Sequence, residues 1–232
     1  MPRTYIETFD TDPGGWHTQR DNFVNVKALD HRDGCVIARS PWWVDYNHAP
    51  PGGGYLHVVF SVLTKGPFGE AVMDLGGPNR FWEQRFPTGF TNARVSLCLK
   101  GELENRGANL CFHVQARGGG KVANWVYTAE PFRVTPEWSE QTITLVPDEG
   151  RWTFMGSRWS RTDNYGHVPL ADVLRDVNIN IILVLFPLTV VPMGPLASDM
   201  HHLRPEREYP IWRSKLPEGY IMLDTVKIEF AS

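Results

Sequence analysis

Long apolar runs are absent from this chain of 232 residues. Its most apolar stretch, Ile179 to Val191, is shorter than the roughly 18 residues of a membrane helix and carries Pro187. No membrane partner is therefore expected. The opening Met-Pro-Arg-Thr-Tyr-Ile-Glu has no apolar core of a secretory signal, which points to a cytoplasmic protein. Charge of one sign is also missing. Lys and Arg number 23 against 26 Asp and Glu, for a net charge of -3, with no basic block to track phosphates. Nucleic acid is excluded as a partner on that ground. Cysteine is scarce. Cys35, Cys98 and Cys111 form an odd set without metal-ligand spacing and read as reduced thiols. One disulfide stays open, Cys98 to Cys111 across a hairpin.

Familiar catalytic signatures are lacking too. Gly52-Gly53-Gly54 has no Gly-Lys-Ser/Thr ending and is no phosphate loop. No Gly-x-Ser-x-Gly elbow occurs. His201-His202, with Asp199 upstream, is the one close metal-type cluster, but neighbours on an extended chain point to opposite faces. No metal is expected there.

Aromatics and chain breakers are abundant instead. Nine tryptophans stand among 18 prolines and 21 glycines. So many indoles suit either a ligand surface or large core plugs. Between the breakers lie short runs of period two. In Asn92–Lys100, Val95, Leu97 and Leu99 alternate with Arg94, Ser96, Cys98 and Lys100. In Asn109–Arg117, Leu110, Phe112 and Val114 alternate with Asn109, Cys111, His113, Gln115 and Arg117. These two runs read as an antiparallel hairpin with one core face. Val122–Thr128 follows the Gly118–Gly120 turn, with Trp125 and Tyr127 on one side. Further strands are expected at Tyr5–Phe9, Phe23–Leu29, Cys35–Arg39, Gln141–Val146, Asn178–Phe186 and Tyr220–Phe230. Tyr55–Leu63 fits a helical face or a strand, and its β-branched and aromatic content favours strand. Pro169–Val177 is the helix candidate, with Pro169 at its first position. Long loops cover Ser40–Gly54, Lys65–Thr91, Pro147–Val168 and Val191–Gly219. The expected architecture is all-β: one domain over residues 1–232, a two-sheet antiparallel β-sandwich (jelly roll) with long aromatic loops and one or two short helices.

Four segments carry a resemblance. They are Ile6-Glu7-Thr8-Phe9-Asp10 with Gly14-Gly15-Trp16, then Pro136-Glu137-Trp138-Ser139-Glu140-Gln141-Thr142-Ile143, then Leu174–Ile181, and finally Ile221–Ile228. In this order the chain resembles the galactose-binding-like jelly roll of many carbohydrate-binding modules. That resemblance implies a structural calcium near the first and last strands, with Glu7, Asp10 and Asp224 at the matching positions. Without it, these carboxylates cap strand ends. In size and build the chain also resembles intracellular jelly-roll proteins of fungal natural-product pathways, including hetero-Diels–Alderases.

Two places gather residues suited to ligand chemistry. Ser40–His57 packs Trp42, Trp43, Asp45, Tyr46, His48, Tyr55 and His57 around Pro50-Pro51 and a glycine triplet, as a pocket wall would. There Asp45 could fix the tautomer of His48 as a base or donor. The second place is a strip through Arg94, His113, Gln115, Arg117, Trp125 and Tyr127 on non-core strand faces, with Trp152, Trp159 and Tyr165, flanked by Arg158 and His167, as an opposite rim. Catalytic roles fall to His48, Asp45, His113 and Arg94. The first reading is a cofactor-independent cyclase or pericyclase acting on an apolar, oxygenated small molecule by positioning and carbonyl polarisation. The alternatives are a carbohydrate-binding or lectin-like protein and a polysaccharide lyase or glycosidase. A homodimer is allowed for.

Overall fold

The computed structural model describes residues 3–19, 26–45, 55–65, 78–156, 162–188 and 215–231. Within these, the six-stranded sheet is built from β1 (Thr4–Glu7), β4 (Asp30–Arg32), β5 (Cys35–Arg39), β8 (Arg94–Glu104), β11 (Ser139–Thr144) and β14 (Glu218–Glu229). Its order is β11-β8-β14-β5-β4, with β1 also on β14. The eight-stranded sheet holds β2 (His17–Gln19), β3 (Val26–Ala28), β6 (Val44–Asp45), β7 (Leu56–Leu63), β9 (Asn109–Gly118), β10 (Lys121–Phe132), β12 (Trp152–Phe154) and β13 (Asn180–Phe186). Its order is β12-β10-β9-β13-β7-β2-β3, with β6 on β7. Neighbouring strands in both sheets run antiparallel. The expected two-sheet β-sandwich is therefore the observed fold. Among the described residues no helix is long and apolar enough to cross a membrane.

Period-two alternation explains the core. Val95, Leu97 and Leu99 of β8 face Leu110, Phe112 and Val114 of β9 within one buried cluster. The expected inner faces are right, but the expected hairpin is not. β8 pairs with β11 and β14, whereas β9 pairs with β10 and β13. The turn around Asn105–Ala108 is an arch from one sheet to the other. Two alternating strands with a short polar link bury the same faces either way, so the pattern cannot separate the two arrangements. Cys98 and Cys111 consequently lie on different sheets, and both are free thiols. The hairpin that does form joins β9 to β10 through Gly119 and Gly120, at φ 54° and 80°. Two successive left-handed residues make the turn that matches strand twist, and glycine adopts them without strain.

Register then places Trp125 opposite Val114 and Tyr127 opposite Phe112. Both aromatics point into the core, not onto a ligand strip. The two indoles there have their polar needs met locally. Trp125 Nε1 donates to the Val168 carbonyl at 3.0 Å and Trp152 Nε1 to that of Val146 at 2.9 Å. Trp152 packs edge-on against Tyr127 at 4.9 Å.

Helices are few. α1 (Arg80–Glu83) sits in the expected loop Lys65–Thr91, too short for a periodic signal. Asn79 caps it by accepting from the Trp82 amide at 3.0 Å, and Phe81 plugs the core beside Tyr5 at 5.0 Å. α2 (Leu170–Arg175) confirms the helix candidate, with Pro169 as its N-cap residue, one place earlier than expected. Among its described residues, the loop Pro147–Val168 holds the 3-10 turn Glu149–Arg151 and β12.

A second apolar cluster covers the outer face of the eight-stranded sheet. It comprises Leu56, Val58, Cys111, Val126, Met155, Ile182, Val184 and Phe186, with Trp43 against its edge. All residues of β7 and β13 are buried. Ile182→Ala should therefore cost about 3 kcal/mol in urea unfolding, as for an interior site. A cost below about 0.5 kcal/mol, the level of a solvated face, would show that this cluster is not packed.

Candidate functional site

The outer face of the eight-stranded sheet carries two adjacent polar rows among its apolar residues. In the first, His17 lies opposite Ser61, Ser61 opposite Ile182, Ile182 opposite His113 and His113 opposite Val126. In the second, Asn180 lies opposite Gln115 and Gln115 opposite Asn124. Cross-strand partners share a face, so these six polar residues share one surface. All are buried except Gln115, which is half-buried, and none is an Asp, Glu, Lys or Arg.

Their hydrogen bonds fix the orientations. Asn124 Oδ1 accepts from Gln115 Nε2 at 2.7 Å and lies 3.2 Å from His113 Nε2. An amide oxygen only accepts, so the His113 proton sits on Nε2. Three buried groups on this surface have no hydrogen-bond partner: Asn124 Nδ2, Ser61 Oγ and Asn180 Oδ1. Together they offer a donor, a hydroxyl and an acceptor. Buried polar atoms are almost always paired, so three unpaired ones in neighbouring rows are an exception that the chain itself does not satisfy.

The Ser40–His57 candidate is only partly in view. Tyr46, His48 and Trp159 lie outside the described residues, and with them the Asp45–His48 pair. So do Arg158, Asp199, His201 and His202. Trp42, Asp45, Tyr55 and His57 are buried, and Trp43 is half-buried. His57 lies opposite Val44 of β6 and Leu185 of β13, on the core side of the sheet. Its Nδ1 donates to the Trp43 carbonyl at 3.0 Å. Burial pushes the His57 and His17 imidazoles down to about 4. Both are neutral at pH 7.

The expected strip therefore separates. His113 and Gln115 remain on the outer face, while Trp125, Tyr127 and Trp152 turn inward. Arg94 belongs to the other sheet, exposed and 3.8 Å from Glu229. Sequence reasoning paired it with His113 because it took β8 and β9 for one hairpin. Tyr165 forms an isolated bridge with Val122, and His167 packs on Trp125 and Phe154. Missed altogether were His17, Ser61, Asn124 and Asn180. A signal existed for two of them: Ser61 interrupts the apolar run of β7, and Asn180 that of β13.

A calcium ion takes six to eight oxygens, and the carboxylates at the three calcium positions each have a partner within the chain. Burial raises the Glu7 carboxyl and the nearby Arg80 opposes that shift, its guanidinium 3.7 Å from Oε2 and 2.5 Å from Asp12. Asp10 accepts from Thr8 at 2.6 Å and Asp224 from Thr225 at 2.7 Å. Among the described residues no group of three or more His, Cys, Asp or Glu could hold a metal ion.

No protein-family model matches this chain. No curated protein matches it either. Among solved structures, the CBM2 module of the evolved Dit of Lactobacillus casei BL23 phage J-1 is similar over 99% of this chain and 96% of that one, at 10% identity and a TM-score of 0.30. A likeness that loose transfers no ligand.

The histidines set a pH dependence. Their folded values, about 4, lie below the unfolded value near 6.5, so the unfolded chain binds more protons between the two. The stability they contribute is full above about pH 6.5 and is lost as pH falls through about 4. Melting temperature should drop across that window, and His17→Gln should make the drop shallower. An equally steep drop in the variant would mean that His17 is not buried in its neutral form.

Proposed function

We propose that this chain is a binding protein for an uncharged, hydroxyl-rich ligand of the glycan class, held on the outer face of the eight-stranded sheet. The observation that carries the reading is the set of three partnerless groups, Ser61 Oγ, Asn124 Nδ2 and Asn180 Oδ1, in two adjacent rows. A sugar hydroxyl both donates and accepts, and this set asks for both. Each unmade buried bond costs about 1–3 kcal/mol, which a fitting hydroxyl recovers. Neither row holds an Asp, Glu, Lys or Arg, so a charged ligand has no permanent countercharge there. Ile182, Val126 and Val184 adjoin the polar groups and suit the apolar face of a sugar ring.

The cyclase reading receives less support. It assigned catalysis to His48, Asp45, His113 and Arg94; of these, His113 and Arg94 stand on separate sheets, and His48 lies outside the described residues. Lyase or glycosidase chemistry calls for carboxylates or a titrating base, and the two rows contain no carboxylate.

A glycan array tests the proposal. The chain should retain at least one neutral oligosaccharide and release it with unchanged mass. Ser61→Ala and Asn180→Ala should each weaken binding by about 2–10-fold, the value of one neutral hydrogen bond. Arg94→Ala, on the other sheet, should leave affinity unchanged. Retention of no glycan, or affinity indifferent to both outer-face variants, would overturn the reading. Turnover of a terpenoid or polyketide precursor without glycan binding would restore the cyclase.

A further inference from the structure

We infer that Trp42 and His57 form a second site, on the core side of the same sheet, that holds the oxygen of one O–H group. Both side chains are buried, at 3% and 1% exposure. Yet Trp42 Nε1 and His57 Nε2 have no hydrogen-bond partner. Their rings lie 5.9 Å apart, tilted by 51°. Two hydrogen bonds meeting at one tetrahedral oxygen span about 4.5–5 Å between their outer atoms, a span that ring-edge nitrogens can bracket when the ring centres are 5.9 Å apart.

The chemistry of the two atoms selects the occupant. Trp42 Nε1–H only donates. His57 Nδ1 faces the Trp43 carbonyl, which only accepts, so the ring proton is on Nδ1 and Nε2 is a bare acceptor. Burial keeps it unprotonated at neutral pH. The occupant must therefore accept one hydrogen bond and donate another from the same atom. A carbonyl satisfies Trp42 and leaves His57 empty. An ammonium satisfies His57 and faces the indole proton with a like charge. Only an O–H oxygen serves both, whether of a held water or of a ligand alcohol.

This site lies on the opposite side of the sheet from the polar rows, so it stands or falls independently of the glycan reading. Its test is NMR on the unmodified protein labelled with 15N. The Trp42 indole proton, assigned by its loss in Trp42→Phe, should show a cross-peak to a long-lived water. Alternatively, it should shift saturably when methanol or ethanol is added. The first result identifies a water as the occupant, and the second shows that the site admits an alcohol. His57→Phe should abolish either response while the other indole signals keep their positions. Should a variant fail to fold, the wild-type imidazole 15N shifts serve instead: Nε2 must read as a hydrogen-bonded acceptor and Nδ1 as protonated. An indole proton with neither water contact nor alcohol response, or a free Nε2, would overturn the inference.

Discussion

Every residue of β7 and β13 is buried, although these strands belong to a sheet with only one partner sheet. Such strands read as unbroken apolar runs, and both do, apart from His57 and Ser61 in one and Asn180 in the other. A polar side chain on a doubly buried strand has no solvent to fall back on. It must bond within the protein or to something the protein binds. Much of what distinguishes this molecule follows from that: the partnerless groups, the neutral histidines and the separation of the two candidate sites by the thickness of one sheet.

The sheet pairing matters for the same reason. With β8 and β9 in one sheet, Arg94 and His113 would share a face, and the site would be cationic. With β8 and β9 in opposite sheets, their outer faces look out from opposite sides of the sandwich. The charged residues of β8 then stay with the six-stranded sheet, where Arg94 meets Glu229 and Arg106 meets Glu104. The outer face of the eight-stranded sheet keeps amides, hydroxyl and imidazoles. Under the proposed glycan reading, selectivity on this face comes from the direction of hydrogen bonds and from apolar contact.

How much of this was legible in the sequence depended on the range of the signal. Alternation within a strand is local, so the inner residues of β8, β9 and β13 could be read directly. The choice of strand over helix for Leu56–Leu63 was readable too, from Val58, Val59 and Val62. Strand pairing is not local. Nothing in Gly101–Gly107 tells a hairpin from an arch, and that one choice misplaced Arg94. The facing of Trp125 and Tyr127 failed for a different reason. Aromatics with a polar atom suit a ligand cleft and a core plug equally, and the Val168 carbonyl that settles the matter for Trp125 is 43 residues away in sequence. Asn180 and Ser61 carried the opposite kind of information. Each is a small polar residue in a long apolar run, and that oddity was visible without any structure.

Fixed tautomers tie the two sites together. The carbonyls of Gly15 and Trp43 hold the proton on Nδ1 of His17 and His57, whereas the Asn124 oxygen holds it on Nε2 of His113. In water an imidazole exchanges these forms freely. Here each ring is committed by one partner, and at His17 and His57 the burial that depresses the imidazole also removes the charged form. Such a ring no longer shuttles protons at neutral pH. It becomes a rigid donor on one side and a rigid acceptor on the other, an arrangement suited to oriented hydroxyl groups. The same burial that packs the sheet therefore takes these two rings out of proton transfer at neutral pH.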